Sequence, residues 1–140
     1  MELDLIAEEG LRFDEPLAVL TGTPGVQGSL VATEDGLPLA VRLRRDRDPE
    51  ALSAAAAAMG RISQRALAAL DRGDLELSVL DADQFRLMVS PLSLGFLMVV
   101  AEPDANLGLI AADMSTAVEA LERAAVALGA PPRPASGGAP

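Results

Sequence analysis

Residues Leu94-Gly95-Phe96-Leu97-Met98-Val99-Val100 form a strand-length run that is apolar on both alternating sides. Successive side chains of a β-strand point to opposite faces, so this segment must be covered from above and from below. A chain built around it needs a sheet with a layer packed on each face. Pro91 precedes the run and Glu102-Pro103-Asp104 breaks it, which keeps it strand-sized.

The flanking sequence supplies the rest of the sheet. Val26 to Thr33 and Leu37 to Arg44 read as two strands joined by Glu34-Asp35-Gly36, because glycine accepts the positive φ that a tight hairpin demands. In the second of them Leu37, Leu39, Val41 and Leu43 alternate with Pro38, Ala40, Arg42 and Arg44, the pattern of a half-buried strand with one solvated or partner-facing side. Pro38 has no amide to donate, which predicts a sheet edge or a strand start. Leu75 to Leu80 and Gln84 to Ser90 form another hairpin, turning at Asp81-Ala82-Asp83, with Phe85, Leu87 and Val89 on one side.

Helices separate these strands. Asp14 is placed to cap a short helix carrying Leu17 and Leu20, which Gly22, Pro24 and Gly25 end. Asp48-Pro49-Glu50 combines an N-cap, a first-turn proline and an acid, and opens a long helix running to Arg72, with Gly73 set to take the left-handed position beyond it. Its expected core stripe is Leu52, Ala56, Met59, Ile62 or Ser63, Ala66 and Leu70. A last helix starts near Asp104 to Asn106, carries Leu107, Ile110, Met114, Ala117, Leu121, Ala124 and Leu128, and stops at Gly129 and Pro131. The order predicts an α+β domain, αββαβββα, with a five-stranded antiparallel sheet and helices on both faces, over residues 14–129. Residues 1–13 are a poorly specified lead-in, in which Leu3 and Leu5 alternate with acids and Ile6-Ala7-Glu8-Glu9 suits a helix. Residues 130–140 are rich in Pro, Gly and Ala and are expected to be a disordered tail.

The chemistry open to this chain is narrow. It has no His and no Cys, and all 11 of its basic residues are Arg. Cysteine nucleophiles, His relays, Schiff-base lysines, Cys/His metal sites and a P-loop lysine are therefore excluded, and only carboxylates remain for acid–base work or for Mg²⁺. No enzyme activity, cofactor or metal is expected. A net charge of -10 disfavours nucleic acid, whose phosphates need clustered positive charge. The acidic start Met1-Glu2-Leu3-Asp4 is unlike a secretory signal, and no apolar stretch approaches the roughly 20 residues of a membrane span. A cytoplasmic location is the expectation.

Two motifs are declined. Gly22-Thr23-Pro24-Gly25-Val26-Gln27-Gly28-Ser29 is glycine-rich but precedes a strand and has no lysine, so it reads as a helix-to-strand corner. Asp81-x-Asp83 lacks the further ligands of a cation loop and reads as a turn.

Several segments together resemble the Roadblock/LC7 family: Pro24-Gly25-Val26-Gln27-Gly28-Ser29-Leu30-Val31, Glu34-Asp35-Gly36 followed by Leu37-Pro38-Leu39-Ala40, the Ala-rich second helix, and Asn106-Leu107-Gly108-Leu109-Ile110 opening the last helix. The resemblance implies a homodimer in which second helices pack together and third strands pair edge to edge. Bacterial MglB-like members regulate small Ras-like GTPases, holding the GTPase in a competent conformation rather than inserting an arginine finger. On this basis Ala54, Ala55, Ala58 and Ile62 of the second helix, with Leu75, Leu77 and Val79 of the third strand, are the expected dimer interface. The helix offers support of its own, since Ala54, Ala55, Ala57, Ala58 and Gly60 make a flat surface another backbone can approach, although alanine is also simply the best helix former.

Arg61, Arg65 and Arg72 recur on the second helix and are the expected partner-binding residues, able to meet acidic or phosphate groups bidentately. Arg42, Arg44, Arg45 and Arg47 form a second basic patch, but interleaved Asp46 and Asp48 favour a solvated face there. The expected function is a homodimeric adaptor that binds a small Ras-like GTPase and modulates its nucleotide cycle. The alternative is a dimeric scaffold subunit, without a GTPase role, that tethers a larger signalling or motor complex.

Overall fold

A computed structural model describes residues 13–131; the lead-in of residues 1–12 and the tail from residue 132 lie outside the described residues. In chain order the elements are α1 (residues 13–21), β1 (Val26–Thr33), β2 (Pro38–Arg42), α2 (Pro49–Leu70), β3 (Ser78–Asp81), β4 (Arg86–Leu92), β5 (Gly95–Ala101) and α3 (Leu107–Ala127). The five strands form one antiparallel sheet in the order β2-β1-β5-β4-β3. β5, the doubly apolar run, is the middle strand and is buried at every position.

Alternation in the strands separates two cores. Val31, Met88, Leu97 and Val99 face α1 and α3, packing with Phe13, Leu17, Leu20, Ile110, Met114 and Leu121. On the other face Leu30, Leu87, Val89, Phe96, Met98 and Val100 pack beneath Ala56 and Ala57 of α2. The result is a three-layer arrangement with one helix on one side and two on the other. Polar contacts fix the two-helix layer: Ser29 Oγ donates to the Leu17 carbonyl at 3.2 Å, Thr23 Oγ1 donates to Asp113 at 2.9 Å, and the Ser93 amide donates to Glu122 at 2.8 Å.

Helix ends follow local chemistry, with two corrections. Asp48 Oδ1 accepts from the amides of Glu50 (3.0 Å) and Ala51 (3.3 Å), and Asn106 Oδ1 accepts from Leu109 (3.0 Å). Asp14, expected to cap α1, lies inside the helix, because Phe13 is already helical and fills the core. α2 ends at Leu70 rather than Arg72; Asp71 takes the left-handed conformation at the cap, at φ 52° and ψ 48°, and Gly73 follows with a positive φ of 101°. A short polar side chain tolerates that region better than most.

Packing also redraws the stripes. In α2 the buried residues are Ser53, Ala56, Ala57 and Gly60, whereas Ile62, Ala66 and Leu70 of the expected stripe are exposed. The small residues let the helix lie close to a sheet face already filled by large side chains: a Cβ on Gly60 would overlap the ring of buried Phe96. Leu107, expected in the core stripe of α3, is exposed, and burial begins at Ile110. In β2 the row Leu37, Leu39 and Val41 is the exposed one, while Ala40 packs toward α1 and α3.

Candidate protein-interaction site

α2 carries one face on the sheet and leaves two flanks uncovered. Ser63 Oγ and Ser78 Oγ are hydrogen-bonded at 2.8 Å, so the flank holding Ser63 faces β3. Ala66 and Leu70 lie toward that flank while Ile62, one residue before Ser63, turns outward from the sheet, and Ile62 and Leu70 are 60% and 65% exposed. Beside them Leu80 of β3 opposes Leu87, which belongs to the α2-side core, so Leu80 lies on the same face and is exposed. Leu70 and Leu80, with outward-facing Ile62, are thus exposed large aliphatics on the α2 side of the sheet, beside the unpaired outer edge of β3, a surface that invites another chain.

The opposite flank of α2 faces the β1–β2 hairpin. Gly36, at φ +87° in that turn, is set so tightly that an added Cβ would lie 3.2 Å from Ala54 Cα. Ala54, Ala58, Arg61 and Arg65 run along this side and are all exposed. Arg61 and Arg65, one turn apart, border a shallow depression with Gln64 and Ala68. Arg72 lies just beyond the C-cap and is also exposed. Among the described residues no carboxylate pairs with Arg61, Arg65 or Arg72. These cations therefore keep their donors free for groups outside the fold.

The expected interface residues divide between surface and interior. Ala54, Ala58, Ile62 and Val79 are exposed, whereas Ala55 packs against the α2-side core. Leu75 is buried and Leu77 packs toward α1 and α3, in the segment before β3, which begins only at Ser78. Ala57 and Gly60, read as part of a flat outer surface, face the sheet instead. Leu70, expected in the core stripe of α2, and Leu80, given no role by the sequence, are the further exposed aliphatics beside this edge.

The second basic patch behaves as a solvated and structural cluster. Arg44 Nη2 lies 3.3 Å from Asp46, and its hydrogen bond and charge hold the Asp46 carboxyl below the usual range. Arg47 donates to Gln27 at 2.7 Å and stacks over Phe85 with 5.6 Å to the ring centroid. Arg86, which sequence reading left unassigned, pairs with Asp81 and donates to the Ala105 carbonyl at 3.1 Å, joining β3, β4 and the loop before α3. The declined motifs are a helix-to-strand corner at residues 22–25 and a strand end at Asp81. Among the described residues no group of three or more Asp or Glu side chains is arranged to hold a metal ion, and no helix is long and apolar enough to cross a membrane.

This geometry has counterparts in known proteins. A family model described as the Roadblock/LC7 domain matches residues 13–102. An uncharacterized protein of Methanocaldococcus jannaschii is 31% identical over 110 residues, covering 79% of this chain and 96% of that protein. The crystal structure of a Roadblock/LC7 domain from Streptomyces avermitilis superposes with a TM-score of 0.75 at 22% identity, covering 81% of this chain and 97% of that one. Myxococcus xanthus MglB superposes with a TM-score of 0.78 at 15% identity, covering 86% and 92% respectively.

Proposed function

The chain belongs to the Roadblock/LC7 family, and from that premise we propose that it is a non-enzymatic homodimer that binds a small Ras-like GTPase and modulates its nucleotide cycle. The observation that carries the reading is the division of α2 into two uncovered flanks. Ile62 and Leu70, with Leu80 of β3, form the self-association side. Arg61 and Arg65 form the side left for a partner. Pairing of β3 with its copy extends the sheet across both protomers and brings the two α2 helices together into a rigid platform.

Such a platform acts by differential contact. A GTPase whose switch segments are ordered against it spends more time in that arrangement, and its rate of hydrolysis or exchange changes accordingly. The free guanidinium groups suit carboxylates on the partner, and an arginine-bearing face on a chain of net charge -10 gives the encounter a direction. The test is titration of the dimer with the small Ras-like GTPase of the same organism, in GDP and GTP-analogue forms, beside the Arg61→Glu/Arg65→Glu variant. Binding that favours one nucleotide form and falls at least about tenfold in the variant supports the reading. Undiminished binding rejects the arginines, and no binding to either form rejects the GTPase role in favour of a scaffold.

A further inference from the structure

α1 and α3 share the sheet face opposite α2, and between them runs an open groove of about 530 Å³. Pro16 and Val19 of α1 make one wall, and Ala117, Ala120, Ala124 and Ala127 of α3 make the other. Ala117 and Ala124 are buried and form its floor, whereas Val19 is 68% exposed. The groove follows α3 from Asp113 to Ala127, about 21 Å at the helical rise. Its shape selects a helix. Both walls are helices whose backbone groups are paired internally, so a strand finds nothing to pair with and recognition comes from side-chain packing. The alanines of α3 leave room for a third helix to approach to the axis separation of close-packed helices, about 8–10 Å.

The rim selects charge. Glu15 and Asp113 line the groove, and Glu119, one turn from both Thr116 and Arg123 of its lining, stands beside them. Arg123 is the single cation of the lining. Asp113 already accepts from Thr23, but among the described residues Glu15 and Glu119 have no ion pair. An anionic ligand meets this excess of acid, and a second copy of a chain of net charge -10 carries the same excess with it.

We propose that the groove between α1 and α3 is the docking site for a basic amphipathic helix of a partner protein. That helix is about four turns long, lays aliphatic residues at helical spacing into the groove, and sets Lys or Arg beside Glu15 and Glu119. Arg123 takes an acid on it. Because α2 covers the other face of the sheet, a helix held here leaves the α2 flanks open, and the chain can bridge two proteins.

Fluorescence anisotropy with two labelled peptides of roughly 18 residues, helical by design, tests this without a GTPase. One carries Leu and Ala on one face and Lys on the other; its counterpart has Glu in place of every Lys. The Lys peptide is expected to bind the full chain at least about tenfold more tightly than the Glu peptide. Ala120→Trp, which fills the groove without changing its charge, and Glu15→Lys/Glu119→Lys should each weaken the Lys peptide about tenfold. Ile62→Asp/Leu80→Asp, directed at the self-association side, should bind it as the native chain does, so this test stands or falls apart from the proposed function. Equal affinity of native chain and Ala120→Trp overturns the proposal, because charge alone then attracts the peptide. No binding, or equal binding of the two peptides, overturns it as well. A native mass that doubles with concentration, and no longer does so in Ala120→Trp, assigns the groove to a second copy and overturns it too.

Discussion

Ser53 is the one buried side-chain polar atom without a hydrogen-bond partner among the described residues. It sits on the sheet-facing side of α2, where a hydroxyl gives up water and gains nothing in return. Ser53→Ala keeps the volume close and removes that cost, so the variant should be as stable as the native chain or more stable by about 1 kcal/mol, read from the urea midpoint. Gly60 behaves oppositely. Alanine is favoured over glycine in a helix by about 1 kcal/mol. Here the added methyl must displace the ring of Phe96, which is 2% exposed and cannot move into solvent. Overpacking wins, and Gly60→Ala should lose about 1–3 kcal/mol with a lower melting temperature. Composition announced neither effect, since a serine and a glycine in a helix look like ordinary surface choices until the neighbouring strand is in place.

At the scale of the element, α2 is where the chain's local signals are strongest and where its outward-facing roles are concentrated. Its start was legible: Asp48-Pro49-Glu50 names the cap, and Asp48 accepts two amide hydrogen bonds as that pattern requires. Asp48→Ala should cost about 0.5–2 kcal/mol, measured as the same midpoint shift in urea and in heat. Its orientation was not legible. Large aliphatics at Leu52, Met59, Ile62 and Leu70 and small residues at Ser53, Ala56, Ala57 and Gly60 both recur at helical spacing. Hydrophobicity favours the first set, but the sheet beneath already presents Leu30, Phe96 and Met98, and the close approach that fills space admits only the second. The displaced aliphatics are what the dimer reading uses. Ile62→Asp/Leu80→Asp should leave the far-UV spectrum of the protomer intact while sedimentation shows the dimer dissociating; an unchanged dimer would move self-association to another surface.

For the molecule as a whole, the sheet sorts the charges. Arg61 and Arg65 lie on one flank of α2, and Arg47 stacks over Phe85, which packs against the same α2-side core, while α3 carries Asp113, Glu119 and Glu122, with Arg123, in the opposite layer. If the arginine-bearing side meets an acidic partner, raising salt should slow association more than it speeds dissociation, a stopped-flow measurement that separates steering from close packing.

The sequence by itself determined the element order, the position of the central strand, the N-cap of α2 and the hairpin turns, because each depends on residues adjacent in the chain. Periodicity also determined which residues share a face. Only the tertiary structure decided which face points inward, because that depends on the volume left between layers, and volume is set by side chains distant in sequence. Thus Leu75 and Leu77 became core while Leu70 and Leu80 became surface. The row Leu37, Leu39 and Val41, with the alternation of a core face, lies exposed at the edge strand β2, whose register is broken by a bulge.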